Sequence, residues 1–109
     1  MDAASKASAA ASPRTFEEFF PLYLAMHSHP MTRILHFIGT VLQLPIVIAC
    51  AVTGWWWGLL TIPFVSYGLA WFSHFVFERN RPATWTNPWY SLLGDYKMVG
   101  LMLRGQLWR

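Results

Sequence analysis

Four histidines (His27, His29, His36 and His74) and the carboxylate of Glu78 are the residues whose types and spacing could do chemistry in so apolar a chain. His36 lies nineteen residues before Trp55, and His74 lies nineteen residues after it. If the chain reverses at Trp55, each imidazole stands ~28 Å from the turn at 1.5 Å per residue. The two histidines then face each other at one level. His27 and His29 precede His36 by nine and seven residues, close enough to fold back to that level. Glu78 follows His74 by one helical turn on the same face. Imidazole suits zinc, copper, iron and nickel, and histidines with a carboxylate and open positions are a common arrangement for non-haem Fe(II) oxygenases. The group is a candidate metal site, with Glu78 as a further candidate ligand. Glu78 could equally pair with Arg81 or Arg33. A lone interfacial His usually hydrogen-bonds a carbonyl or a headgroup, and His29, beside Pro30 in an exposed turn, keeps that reading.

The elements that must position these groups are legible from the charge distribution. From Ile34 to Phe77 there is no Asp, Glu, Lys or Arg, and all eight basic residues fall outside that stretch. A membrane span needs ~20 apolar residues, so the stretch holds two, at about 35–53 and 57–77. Gly54-Trp55-Trp56-Trp57-Gly58 supplies the turn, its indoles suited to a lipid–water boundary. A Gly54/Gly58 small-residue pattern at such a turn reads as accidental. Thr15-Phe16-Glu17-Glu18 has the spacing of a capping box, opening an amphipathic helix that Pro21 should kink or interrupt. Asn87-Pro88 should cap and start another helix. There Trp89, Leu92, Leu93, Tyr96, Val99, Leu103 and Leu107 recur at spacings of three and four, and Asp95, Lys97 and Arg104 make it too polar to span. The fold class expected is an all-α membrane protein: a two-span helical hairpin plus two interfacial helices, packed as a small bundle over residues 15–109. Residues 1–14 read as a disordered Ala/Ser-rich tail without a signal-peptide core.

Composition excludes several classes. Hydrophobic residues make up 55% of the chain and charged residues 12%, against about 25% charged in soluble domains. The net charge of +3 belongs to span flanks, which argues against a nucleic-acid partner. It argues for a multi-pass protein with both termini in the cytoplasm, in a bacterial inner membrane or the endoplasmic reticulum. The single Cys50 cannot form an intrachain disulfide and reads as a small apolar residue.

Several blocks resemble one small membrane-protein family that includes the yeast 2-hydroxy fatty acid dioxygenase. They are Phe19-Phe20-Pro21-Leu22-Tyr23-Leu24 leading to His27, and Leu35-His36-Phe37-Ile38-Gly39-Thr40. Trp71-Phe72-Ser73-His74-Phe75 follows, with Glu78-Arg79-Asn80-Arg81-Pro82-Ala83-Thr84 and then Tyr90-Ser91-Leu92-Leu93-Gly94-Asp95. The similarity runs from about Phe16 to Leu107, with the blocks in the family's order. It implies an Fe(II)-dependent dioxygenase of fatty acid alpha-oxidation, taking a long-chain 2-hydroxy fatty acid and O2 and shortening the acid by one carbon. The family's essential histidines carry over onto His27, His36 and His74, as metal ligands for Fe(2+). His29 departs from the pattern and receives no role. Arg33, Arg79 and Arg81 lie at the same boundary and are candidates for the substrate carboxylate, since arginine binds carboxylates bidentately. Two other classes compete. One is a non-enzymatic membrane hairpin that binds a partner protein or lipid; the other is a zinc-dependent membrane hydrolase with the same ligands.

Overall fold

A computed structural model describes residues 13–109; most of the Ala/Ser-rich tail lies outside the described residues. These residues form four helices and no strand. Helix α1 is Phe16–Met26, α2 is Pro30–Thr53, α3 is Trp56–Glu78 and α4 is Pro88–Leu103. Helices α2 and α3 are each long and apolar enough to cross a membrane.

Helix α1 begins as its sequence requires. The Thr15 side chain accepts from the Glu18 backbone N–H at 3.1 Å, while the Glu18 carboxylate accepts from the Arg14 N–H at 2.9 Å. Pro21 does not interrupt the helix. Its missing N–H leaves the Glu17 carbonyl without an intrahelical partner, and both residues are exposed, so water can serve instead.

Helix α2 starts five residues before the apolar run. Pro30 occupies its first turn, and the His29 ring nitrogen Nδ1 accepts from the Met31 N–H at 3.0 Å. The helix jogs at Leu42, between the segments Pro30–Val41 and Gln43–Thr53. Pro45 accounts for this, since its ring opposes the Val41 carbonyl one turn earlier and offers it no N–H. Gly54, at φ 74°, ends α2 in the left-handed conformation that glycine adopts without strain. The second glycine of the turn is not accidental. A Cβ on Gly58 would lie 2.7 Å from the Cys50 sulfur, so its lack of a side chain lets the turn close on a buried thiol.

Helix α3 opens as a 3-10 turn (Trp56–Leu60), becomes α-helical over Thr61–Ser73, and ends in a π-helical turn at His74–Glu78. The hairpin closes at Gly39, where an added Cβ would sit 3.3 Å from the Ser66 Cα. The Ser66 hydroxyl donates to the Gly39 carbonyl at 3.1 Å, and the Gln43 amide donates to Ser66 at 3.0 Å.

Helices α1 and α4 close the open end of the hairpin around a core of Phe19, Phe20, Tyr23, Ala83, Met98 and Met102. Burying each Phe contributes roughly 1.5–3 kcal/mol. Here α4 departs from expectation at its cap. Asn87 occupies the cap position but its side chain makes no cap hydrogen bond, its amide turning to Thr86 instead. The face that packs is Ser91, Gly94, Met98, Val99 and Met102, so that of the apolar stripe Val99 turns inward. Trp89 is 78% exposed and Leu103 70%. The reason is the Tyr23 ring, which lies so close to Gly94 that a Cβ there would come within 2.9 Å of it. Gly94 admits that ring, with Met98 and Met102 packed beside it, while Trp89 and Leu103 turn outward.

Candidate metal centre

Each histidine of the cluster comes from a different helix, and two of the three sit where their helix changes character. His27 is the C-cap of α1, His36 lies in the second turn of α2, and His74 stands at the α-to-π junction of α3. All three are buried, with relative exposures of 1%, 4% and 1%. Their ligand-capable nitrogens lie within 4.8 Å of one another. The Nε2 of His27 is 3.2 Å from that of His36 and 3.0 Å from that of His74. The three rings are nearly perpendicular to each other, with interplanar angles of 83°, 80° and 89°.

The other ring nitrogens fix the tautomers. Nδ1 of His27 is 2.6 Å from the Tyr23 carbonyl oxygen, Nδ1 of His36 is 2.7 Å from the Thr32 carbonyl, and Nδ1 of His74 is 2.7 Å from Oδ1 of Asn80. Carbonyl oxygens only accept, so each Nδ1 must carry the proton and donate. The Tyr23 carbonyl is free for this because the helix tightens at its end, the His27 N–H bonding Leu24 instead. Burial, and next the neighbouring His36 and His74, hold the His27 imidazole well below its usual pKa, hence neutral.

With every Nδ1 carrying its proton, neutral rings would aim three Nε2 lone pairs at one another with no proton between them. That arrangement is repulsive unless a cation takes it up. Nitrogens bound at ~2.0–2.1 Å to one ion stand ~3.0–3.4 Å apart, which is the spacing from His27 to each of the other two. The donor set thus fits a first-row transition metal held by three neutral histidines, with further positions open.

The surrounding shell adds partners for the histidines. Asn80 accepts from His74, donates to the Met26 carbonyl at 3.0 Å, and donates its backbone N–H to the His74 carbonyl at 3.1 Å. It thereby ties the ends of α1 and α3 together. Arg79, at φ 56°, makes the left-handed turn that swings Asn80 back. Tyr23 stacks on His27 at 3.9 Å between centroids, and its hydroxyl donates to Asp95 on α4. Burial pushes the Asp95 carboxyl up to about 7 despite that hydrogen bond, which lowers it. Burial, then the Asp95 charge, raises the Tyr23 phenol. In the sequence the signal for these partners is that Tyr23, Arg79, Asn80 and Asp95 all fall inside the shared blocks.

Glu78 stands outside the histidine cluster. Its carboxylate accepts from the Ser28 N–H and hydroxyl at 2.9 Å each, from the His29 N–H at 2.6 Å and from the Thr32 hydroxyl at 2.7 Å. It clasps the start of α2, where Ser28, His29 and Thr32 take up its two oxygens. His29 caps α2 and is exposed. Arg33 donates to the carbonyls of His27 (2.6 Å) and Arg109 (3.3 Å). Arg79 and Arg81 are exposed. A cavity of ≈ 140 Å³ adjoins His36, and none of these three arginines lines it.

Fold and site together define a small all-helical protein with two apolar, membrane-length helices and a buried tris-histidine cluster at one end. The family model described as 2-hydroxy-palmitic acid dioxygenase Mpo1-like matches residues 13–107, and the chain belongs to that family. Neither the curated proteins nor the solved structures give a match.

Proposed function

We propose that the protein is an Fe(II)-dependent dioxygenase that shortens long-chain 2-hydroxy fatty acids by one carbon, with His27, His36 and His74 as the iron ligands. The observation that carries this reading is the convergence of three Nε2 lone pairs, each imidazole held in the ligating tautomer by a partner on its far nitrogen. Family membership supports the substrate class and the reaction. Iron held there would supply the redox chemistry with O2 that zinc lacks.

The chain's own residues prepare that chemistry. Tyr23, Thr32 and Asn80 orient the rings, and such partners commonly matter by about 10–100-fold in affinity or activity. Phe19, Phe20 and Met98 seal the α1 and α4 side against water. Converting a 2-hydroxy acid and O2 to the acid one carbon shorter, CO2 and water balances in atoms. It takes four electrons from the substrate, the number O2 accepts, so no further reductant is required.

Helices α2 and α3 would cross the bilayer, with lengths of ~35 Å against a hydrocarbon core of ~30 Å. Both termini, flanked by the basic residues, would lie in the cytoplasm. The exposed apolar surface, including Val52, Phe64 and Trp57 at 81%, 80% and 75%, fits a lipid environment.

The test is protein purified in detergent, without chelator and without oxygen, then analysed for metal and given 2-hydroxypalmitate with O2. About one iron per chain and oxygen-dependent release of the C15 acid are expected. Stoichiometric zinc with no oxygen consumption would replace this reading by a hydrolase. No metal at all would leave a binding hairpin.

A further inference from the structure

The cavity beside His36 has no part in holding the histidines, and its position bears on how a substrate is selected. It lies between the Ile62–Ala70 stretch of α3 and the Leu92–Tyr96 stretch of α4, with His36, Thr40 and Gln43 of α2 as its floor. Helix α4 packs on α1 and α2 rather than on α3, which leaves this space. From His36 to Gln43 the cavity runs ~10 Å along α2 at 1.5 Å per residue, away from the histidines and toward the Trp turn.

Its polar groups are largely committed to one another. Tyr96 donates to the Gln43 Oε1 at 2.6 Å, Gln43 donates to Ser66, Ser66 donates to the Gly39 carbonyl, and Asp95 takes the Tyr23 hydroxyl. An apolar guest would therefore break few hydrogen bonds on entering. Unpaired polar walls would have cost it several kcal/mol.

We infer that this cavity receives the carboxylate-proximal part of a single acyl chain, whose head lies at the histidines and whose remainder stays outside the protein. This rests on the dioxygenase reading for the identity of the head. Size decides how much of the chain enters. An apolar cavity of about 150 Å³ accommodates a benzene-sized molecule, so ≈ 140 Å³ has room for about six carbons. Selection then acts on the first carbons after the head. Straight chains are accepted at any greater length, and branches close to the head are refused.

Two 2-hydroxypalmitate analogues test this, one carrying a photoreactive diazirine at carbon 6 and the other at carbon 14. Cross-linked peptides are mapped on the full chain in detergent. The carbon-6 probe is expected to label Ile62, Tyr67 or Leu92, and the carbon-14 probe the exposed faces around Phe64 and Trp89. Labelling of only the exposed faces by the carbon-6 probe would overturn the inference. Filling the cavity from either wall, by Ile62→Trp or by Leu92→Phe, should raise KM for 2-hydroxypalmitate at least tenfold with the metal content unchanged. An unchanged KM in a folded variant of either kind would overturn it too. Cross-linking needs no turnover. Carbon-6 labelling in the cavity of a protein that consumes no O2 would keep the chain site and remove only the reaction assignment.

Discussion

The two ends of the hairpin are built on opposite terms. At the open end three helices bring buried histidines to one point, and almost every polar atom there has a named partner. At the Trp turn the only buried residues are Cys50 and Gly58, and Trp55, Trp56 and Trp57 are all more than half exposed. The open end is stabilised by specific hydrogen bonds in a dry interior, where a lost partner leaves a neighbour unsatisfied. The turn is stabilised by backbone geometry at two glycines and by whatever apolar medium surrounds it. Chemistry and stability are therefore concentrated at one end, and substitutions should separate the two ends sharply.

The largest effect is expected at His74. His74→Ala removes one of three converging lone pairs and should lower metal affinity and oxygen-dependent turnover at least tenfold. Helix content by circular dichroism should hold, because the site is near the helix end. Parent-level metal and turnover in that variant would reduce the open end to packing, and the contrast with the turn would lose its chemical meaning.

Glu78→Gln comes next and separates support from ligation. It removes the charge behind four hydrogen bonds at the start of α2, so unfolding in detergent should show a loss of about 1–3 kcal/mol. Metal stoichiometry should be kept. Loss of metal without loss of stability would make Glu78 a ligand after all.

The smallest effect belongs to the turn. Trp57→Leu touches an indole that is 75% exposed, and its unfolding free energy in detergent should stay within about 0.5 kcal/mol of the parent. A larger drop would show the turn to be specifically packed as well.

The helices themselves were plain from residue types, because an uncharged run from Ile34 to Phe77 with glycines and tryptophans at its centre has few other ways to fold. Their faces were less plain. On α4 the spacing of Trp89, Leu93, Tyr96 and Leu103 marks an apolar stripe. Periodicity cannot say whether such a stripe meets protein or lipid, and here Gly94 under Tyr23 turned it outward. The π turn at His74–Glu78 was also hidden. It ends at the left-handed Arg79, which brings Asn80 into reach of the imidazole.

The amino-acid sequence by itself determined the number and span of the helices, the position of the turn and the common level of His36 and His74. These depend on helical rise and on where charge is absent, and both are local properties of the chain. Only the tertiary structure decided which imidazole nitrogens face one another, that Glu78 clasps Thr32 across 46 residues and that Asp95 meets Tyr23 across 72. Those pairings depend on how one helix end twists against another, and a rotation of a single residue, about 100°, would have chosen other partners.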